Sequence, residues 1–332
     1  LKKHLCIFSS ILLCLSLLSG CNSENLHSDT DQKKLNIALV PKIVGIPYFE
    51  AAADGAFQAA DELGVNVIYT GPTTTDAAQQ VNLVQDLISR KVDAIAVSAN
   101  DPVSLAPILK KAKEAGITVL TWDSDSQDDS RELFVNQADA EYLGRHIMDN
   151  LAENMDFQGE YAIITGALTA SNLNTWMEWM IKQQQEKYPE MTLVTVEACD
   201  DDQQKAYTIT QNMLIAYPNL KGIIGNSSAA PPGASQAVYQ SGKAGIVKVV
   251  GLSTPALMRE SLKNGSAQVV TLWDPGRLGY LTIKLAVNMI SGNKPHDGDE
   301  FASIGKIQVK GTEVIMGIPL DFTKENVDDF DF

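Results

Sequence analysis

The residues in this sequence that could do chemistry recur just after apolar runs. Lys42 follows the run Leu35 to Val40, and Gly45, Pro47, Tyr48 and Phe49 come directly after it. Asp123 and Asp125 follow Thr118 to Trp122, and Asn136-Gln137 follow Leu133 to Val135. Asn172 and Asn174 precede Trp176, while Trp273 and Asp274 follow Ala267 to Leu272. Planar polar groups beside aromatic rings suit a polyol, whose hydroxyls each need a donor and an acceptor and whose C–H faces stack on rings. A site that pairs buried hydroxyls also rejects analogues lacking them. Taken singly, each of these residues reads better as a helix cap or turn residue; Asp76 and Asn172 both fit an N-cap. The polyol reading therefore rests on their convergence.

Enzyme constellations are missing by comparison. The four histidines, His4, His27, His146 and His296, have no metal-ligand spacing. No phosphate-binding glycine loop, nucleophile elbow or dinucleotide fingerprint follows a strand. The expectation is a protein without cofactor, metal or catalytic residue. One rival remains, a secreted enzyme acting on a sugar with Asp123 and either Asp125 or Asp274 as a carboxylate pair. The formal net charge of −15 argues against nucleic acid, because neutralising phosphates takes clustered Lys and Arg.

The elements that must position these residues alternate. Strand signals at Leu35–Val40, Asn66–Thr70, Ala94–Val97, Thr118–Trp122 and Leu133–Val135 are separated by helical patterns. The pattern restarts at Tyr161–Thr165, Thr192–Val196, Gly222–Gly225, Val247–Leu252 and Ala267–Leu272. Such alternation predicts an α/β fold of two doubly wound parallel-sheet domains. Right-handed crossovers then gather the strand-to-helix loops on one edge of each sheet, where such sheets bind ligands.

The start of the chain has a different character. Lys2, Lys3 and His4 precede an apolar stretch, Ile7 to Leu18, that has the length of a secretory core and is short for a membrane span. It ends in Leu18-Ser19-Gly20-Cys21, which resembles a bacterial lipobox. Residues 1–21 are expected to be a lipoprotein signal ending at a lipidated Cys21, and 22–34 a polar tether. The protein is then exported and held by lipid at the outer face of a membrane.

Several segments together carry a family resemblance. They are Pro41-Lys42-Ile43-Val44-Gly45, Tyr69-Thr70-Gly71-Pro72-Thr73, Val97-Ser98-Ala99 and Leu120-Thr121-Trp122-Asp123-Ser124-Asp125. Asn136-Gln137, Gly251 to Pro255, Leu272-Trp273-Asp274 and Phe322 to Asn326 complete the set. From Leu35 to Phe332 the chain resembles the ribose-binding type of periplasmic binding protein, the sugar-binding subunits of ABC importers. Within that type it is most similar to autoinducer-2 receptors of the Lsr kind and to rhamnose-binding proteins. LacI-type regulators share the fold but begin with a DNA-binding head, where this chain has a signal-like segment.

The resemblance implies a type I periplasmic binding protein fold with three crossings, near Asn136–Asp139, Leu272–Pro275 and Ile304–Lys306. One lobe would comprise 35–136 plus 273–304 and the other 137–272 plus 305–332. It implies a monomer that serves an ABC permease, with a small polyol or sugar bound between the lobes. In the Lsr-type pattern the ligand contacts match Lys42 and Asp123, with Pro232 and Ala234 as a Pro-x-Ala backbone segment. An Asp-Gln pair of that pattern is replaced by Asn172-Leu173, which removes a charge and a polar partner; Asn174 is a candidate substitute. The ligand expected is autoinducer-2, used as a quorum-sensing signal, with rhamnose, another deoxy-sugar or a pentose as the alternative.

Overall fold

The computed structural model describes residues 34–332. The proposed signal, Cys21 and nearly all of the tether lie outside the described residues. In chain order the elements are β1 (Asn36–Val40), α1 (Pro47–Leu63), β2 (Asn66–Tyr69), α2 (Ala77–Ser89), β3 (Ala94–Val97), α3 (Pro102–Glu114), β4 (Thr118–Trp122) and β5 (Leu133–Asn136). Then come α4 (Ala140–Asn154), β6 (Gly159–Thr165), α5 (Ser171–Lys187), β7 (Met191–Ala198), α6 (Gln203–Ala216) and β8 (Leu220–Asn226). They are followed by α7 (Ala230–Gln240), β9 (Lys248–Gly251), α8 (Pro255–Lys263), β10 (Val269–Leu272) and α9 (Pro275–Ile290). The chain finishes with β11 (Glu300–Phe301), β12 (Gly305–Lys306), β13 (Gln308–Lys310), β14 (Glu313–Ile315) and β15 (Leu320–Phe322).

Two mostly parallel sheets result. The first has the order β13-β14-β5-β4-β3-β1-β2, and the second β15-β10-β9-β8-β6-β7. Strands β1 and β3 lie inside the first sheet, with a neighbour on each side, and are buried on both faces, as their unbroken apolar runs require. Helices start where short acids accept backbone N–H groups: Asp76, Asp101, Asp139, Asp202 and Asp274 each cap one. Helices α1 and α9 pack through glycines. A Cβ on Gly55 would stand 1.8 Å from the Gly276 carbonyl oxygen, and one on Gly279 would stand 1.8 Å from that of Ala52.

One expectation needs correction. The segment 305–332 does not go over to the second lobe as a unit, because β14 pairs in parallel with β5 of the first sheet and β13 pairs with β14. The chain changes sheets between Ile315 and Leu320, where β15 joins β10, and not near Ile304–Lys306. These strands have only two or three residues each, so their local pattern cannot say which distant edge they will join. Among the described residues, no helix is long and apolar enough to cross a membrane, and no three metal-ligating side chains cluster.

Where the chain changes sheets, one polar cluster ties the second-lobe elements together. His146 Nε2 on α4 lies 2.8 Å from Asp321 Oδ2 on β15, and Thr271 on β10 donates its hydroxyl to Asp321 Oδ1 at 2.6 Å. The hydrogen bond to Asp321 raises the His146 pKa against the opposing effect of burial, helped by the charges of Asp321, Asp149 and Glu153. Burial would raise the Asp321 pKa, but its bonds to His146 and Thr271 outweigh this and hold it low. A histidine whose folded pKa lies above its ordinary 6.5 stabilises fully below that value and loses its contribution as pH rises through the folded pKa. The thermal midpoint of the protein should therefore exceed that of His146→Gln most at pH 6, with the gap closing towards pH 9. A gap independent of pH in thermal denaturation would show that the pair does not hold a charge.

Candidate functional site

Strand β1 ends at Val40, and the loop after it carries Lys42 inward before Pro47 starts α1. Tyr48 and Phe49 lie in the first turn of that helix and are buried. Strand β4 ends at Trp122, and Asp123 follows with φ of 59°, a left-handed turn that aspartate tolerates better than most residues. The turn brings its carboxylate to the residues that follow β1 and β3. Tyr48 donates its hydroxyl to Asp123 Oδ1 at 2.9 Å, and Ser98 donates to Oδ2 at 2.7 Å. The Lys42 ammonium sits 3.4 Å from Oδ2, both groups being almost wholly buried. Trp273 donates its indole N–H to the Tyr48 oxygen at 3.0 Å. Burial, and then the Asp123 charge, push the Tyr48 pKa well above its ordinary value, so the phenol stays neutral and remains a donor.

The second sheet supplies the facing wall. Lys42 donates to Asn172 Oδ1 at 2.9 Å, and Asn172 Nδ2 donates to the Asp123 carbonyl at 3.2 Å. Further bonds join the two sides: Thr169 to the Asn100 carbonyl at 2.9 Å and Ser171 to that of Asp125 at 3.2 Å. The cleft between them is a cavity of about 40 Å³, opening to about 390 Å³ when its mouth is counted. Aromatic rings line it from both sides. Tyr48 meets Trp273 edge-on with centroids 6.0 Å apart, and Trp176 meets Trp273 at 5.8 Å.

Of the expected site residues, Lys42, Tyr48, Phe49, Asp123, Asn172 and Trp273 come together in this cleft. The others do not. Asp125 turns away into a two-pronged ion pair with buried Arg131, at 2.7 and 2.6 Å. Asp274 caps α9 through the Arg277 N–H, and Asn174 donates to the Leu168 carbonyl. Pro232 and Ala234 are buried inside α7. Gly233, between them, packs so close to α6 that a Cβ there would stand 2.3 Å from the Gln203 carbonyl oxygen. Strand β8 runs on to Asn226, so the loop that reaches the cleft is Ser227-Ser228. Pro232 and Ala234 are not among the residues that line the cleft. Sequence reasoning also missed Asp201, which lines the cleft with Ile46, Leu173, Leu252 and Leu272. The available signal was three consecutive aspartates, Asp200 to Asp202, after a strand.

Comparisons with known proteins bear on the family and the fold. A family model described as the periplasmic binding protein domain matches residues 37–294. The D-ribose/D-allose-binding protein of Pseudomonas aeruginosa is 26% identical over 314 residues, covering 88% of this chain and 95% of that protein. An ABC transporter solute-binding protein from Clostridium phytofermentas, solved with bound L-rhamnose, has a TM-score of 0.84 at 30% identity, covering 89% of this chain and 98% of its own. LsrB from Clostridium saccharobutylicum, solved in complex with AI-2, has a TM-score of 0.83 at 27% identity, covering 90% of this chain and all of its own, 100%. Two mostly parallel sheets with the chain passing between them and a polar, aromatic-walled cleft are the type I arrangement. The chain belongs to the periplasmic binding protein domain family, as an extracytoplasmic solute-binding protein of the ribose-binding type that serves a sugar ABC importer and is not an enzyme.

Proposed function

We propose that this chain captures a small methylated polyol ring, autoinducer-2 before other candidates, and delivers it to its importer as a signal molecule. The observation that carries this reading is the joined cluster of Lys42, Asp123 and Asn172, drawn from both sides of one cleft. An ammonium has three N–H donors and a carboxylate about four acceptor sites, so both keep capacity for ligand hydroxyls beyond their protein partners. The apolar side chains Ile46, Leu173, Leu252 and Leu272 suit a methyl group, and the rings of Tyr48, Phe49, Trp176 and Trp273 suit C–H faces. The two sides come from different sheets, so a ligand that touches both favours the closed arrangement by its differential affinity for it.

A second reading, a rhamnose-like deoxy-sugar taken up as a nutrient, is favoured by one observation: Asn172-Leu173 in this cleft departs from the Asp-Gln pair of the Lsr-type pattern, which costs an autoinducer-2 hydroxyl its polar partner. A thermal-shift series with autoinducer-2, L-rhamnose, D-ribose, D-xylose and D-galactose separates the two. A ligand at a hundred times its dissociation constant should stabilise by about 2.7 kcal/mol, a rise of several degrees in a chain of this size. A shift with autoinducer-2 alone supports the first reading; a shift with rhamnose or a pentose alone replaces it with the second.

The same reading places a lipid on Cys21, supported by the Leu18-Ser19-Gly20-Cys21 sequence. Fatty-acid labelling that persists in Cys21→Ser would overturn that placement.

A further inference from the structure

We propose that Asp201 is a specificity residue of the cleft, whose carboxyl serves the ligand hydroxyl that the apolar Leu173 cannot. This inference rests on the small-polyol reading above. The three consecutive aspartates after β7 divide their roles. Asp200 pairs with Lys205, and Asp202 accepts the Lys205 backbone N–H as the cap of α6. Asp201 instead lines the cleft. Its direction is set by the backbone: Asp200 and Asp201 have φ of 53° and 57°. Two successive left-handed residues without glycine are costly, by roughly 1–2 kcal/mol each for an ordinary side chain and less for aspartate. A plain helix cap needs no such pair.

Gly166, the residue after β6, makes the room. A Cβ there would stand 2.5 Å from Asp201 Oδ1 and 2.7 Å from Leu173 Cδ1. The carboxyl and the leucine tip thus share the space over one glycine, side by side on the same wall. Burial raises the pKa of the Asp201 carboxyl above its ordinary value; Lys42 and the Ser227 hydroxyl oppose this, and the charges of Asp123 and Asp200 add to it. The carboxyl offers a ligand hydroxyl the acceptor oxygens that a leucine lacks.

The test is calorimetric titration of the full chain with autoinducer-2, L-rhamnose and D-ribose, comparing wild type with Asp201→Gly, Asp201→Asn and Gly166→Ala. Glycine accepts the left-handed backbone and removes only the side chain. The probe that wild type binds should lose about 10- to 100-fold in affinity in Asp201→Gly and less in Asp201→Asn. Gly166→Ala should weaken it comparably by displacing the carboxyl. Adding Leu173→Gln to Asp201→Gly should recover much of the loss, which a merely structural role for Asp201 would not produce. Unchanged affinity and ranking in a folded Asp201→Gly, with wild type binding normally, would overturn this inference alone. A wild type that binds none of the probes overturns the polyol reading and this inference with it.

Discussion

Asp123→Asn should abolish detectable ligand binding, with a loss of at least two orders of magnitude in affinity, while the protein still folds. Asparagine keeps the size of the side chain and tolerates the left-handed backbone at φ of 59°. What it removes is the negative charge that Lys42, Tyr48 and Ser98 all address. Its amide can accept through one atom only, so at least one of the donors on Asp123 faces another donor. Asp123→Ala should be worse for stability, because it leaves a buried ammonium without its counter-charge; removing one partner of a buried pair costs about 3–5 kcal/mol. The control is Asp125→Ala, two residues away. It leaves buried Arg131 without its two-pronged partner and should lower the thermal midpoint with little change in affinity. Titration calorimetry paired with thermal denaturation distinguishes them. Equal loss of binding in Asp123→Asn and Asp125→Ala would mean that the cleft cluster is structural and that the ligand sits elsewhere.

Gly279→Val should destabilise the fold by about 3 kcal/mol or more, beyond the middle of the range for overpacked cores. The new Cβ would stand 1.8 Å from the Ala52 carbonyl oxygen. That neighbour is backbone, so no side-chain rotation relieves the contact, and α1 and α9 must move apart. Scanning calorimetry should show a fall in the thermal midpoint on the order of 6 °C or more. Affinity should drop as well, since α1 carries Tyr48 and Phe49 at its start and α9 begins next to Trp273. Gly45→Ala offers the contrast. A Cβ there meets nothing within 4 Å, but its φ is 86°, so the cost is limited to backbone strain of roughly 1–2 kcal/mol. Similar losses in the two variants would show that close helix packing is not what Gly279 secures.

Much of the site was legible because it follows from local pattern. Lys42, Tyr48 and Phe49 had to lie at the mouth of the first sheet once Leu35 to Val40 was read as a strand, and β1 is buried on both faces. Trp273 was legible for the same reason, as the residue after β10. Asn172 reached the cleft because it lies in the first turn of α5, on the buried side. The errors share a cause too. Asp274 and Asn174 satisfy backbone groups near their own helices, and spacing alone does not separate such capping from ligand contact. Asp125 looked equivalent to Asp123, but Arg131 claims it.

By itself, the sequence determined the α/β alternation, the burial of the central strands and the edge on which polar residues would gather. These depend on periodicity and on neighbours a few residues apart, which any chain with this pattern shares. The tertiary structure alone decided which of those residues face the cleft. The left-handed turns at Asp123 and Asp201, the space over Gly166 and the crossing after Ile315 each depend on partners far along the chain. Asp123 faces the cleft because Tyr48, Ser98 and Lys42 meet it there. Asp125, two residues on, is held outside the cleft by Arg131 because a buried guanidinium needs its counter-charge.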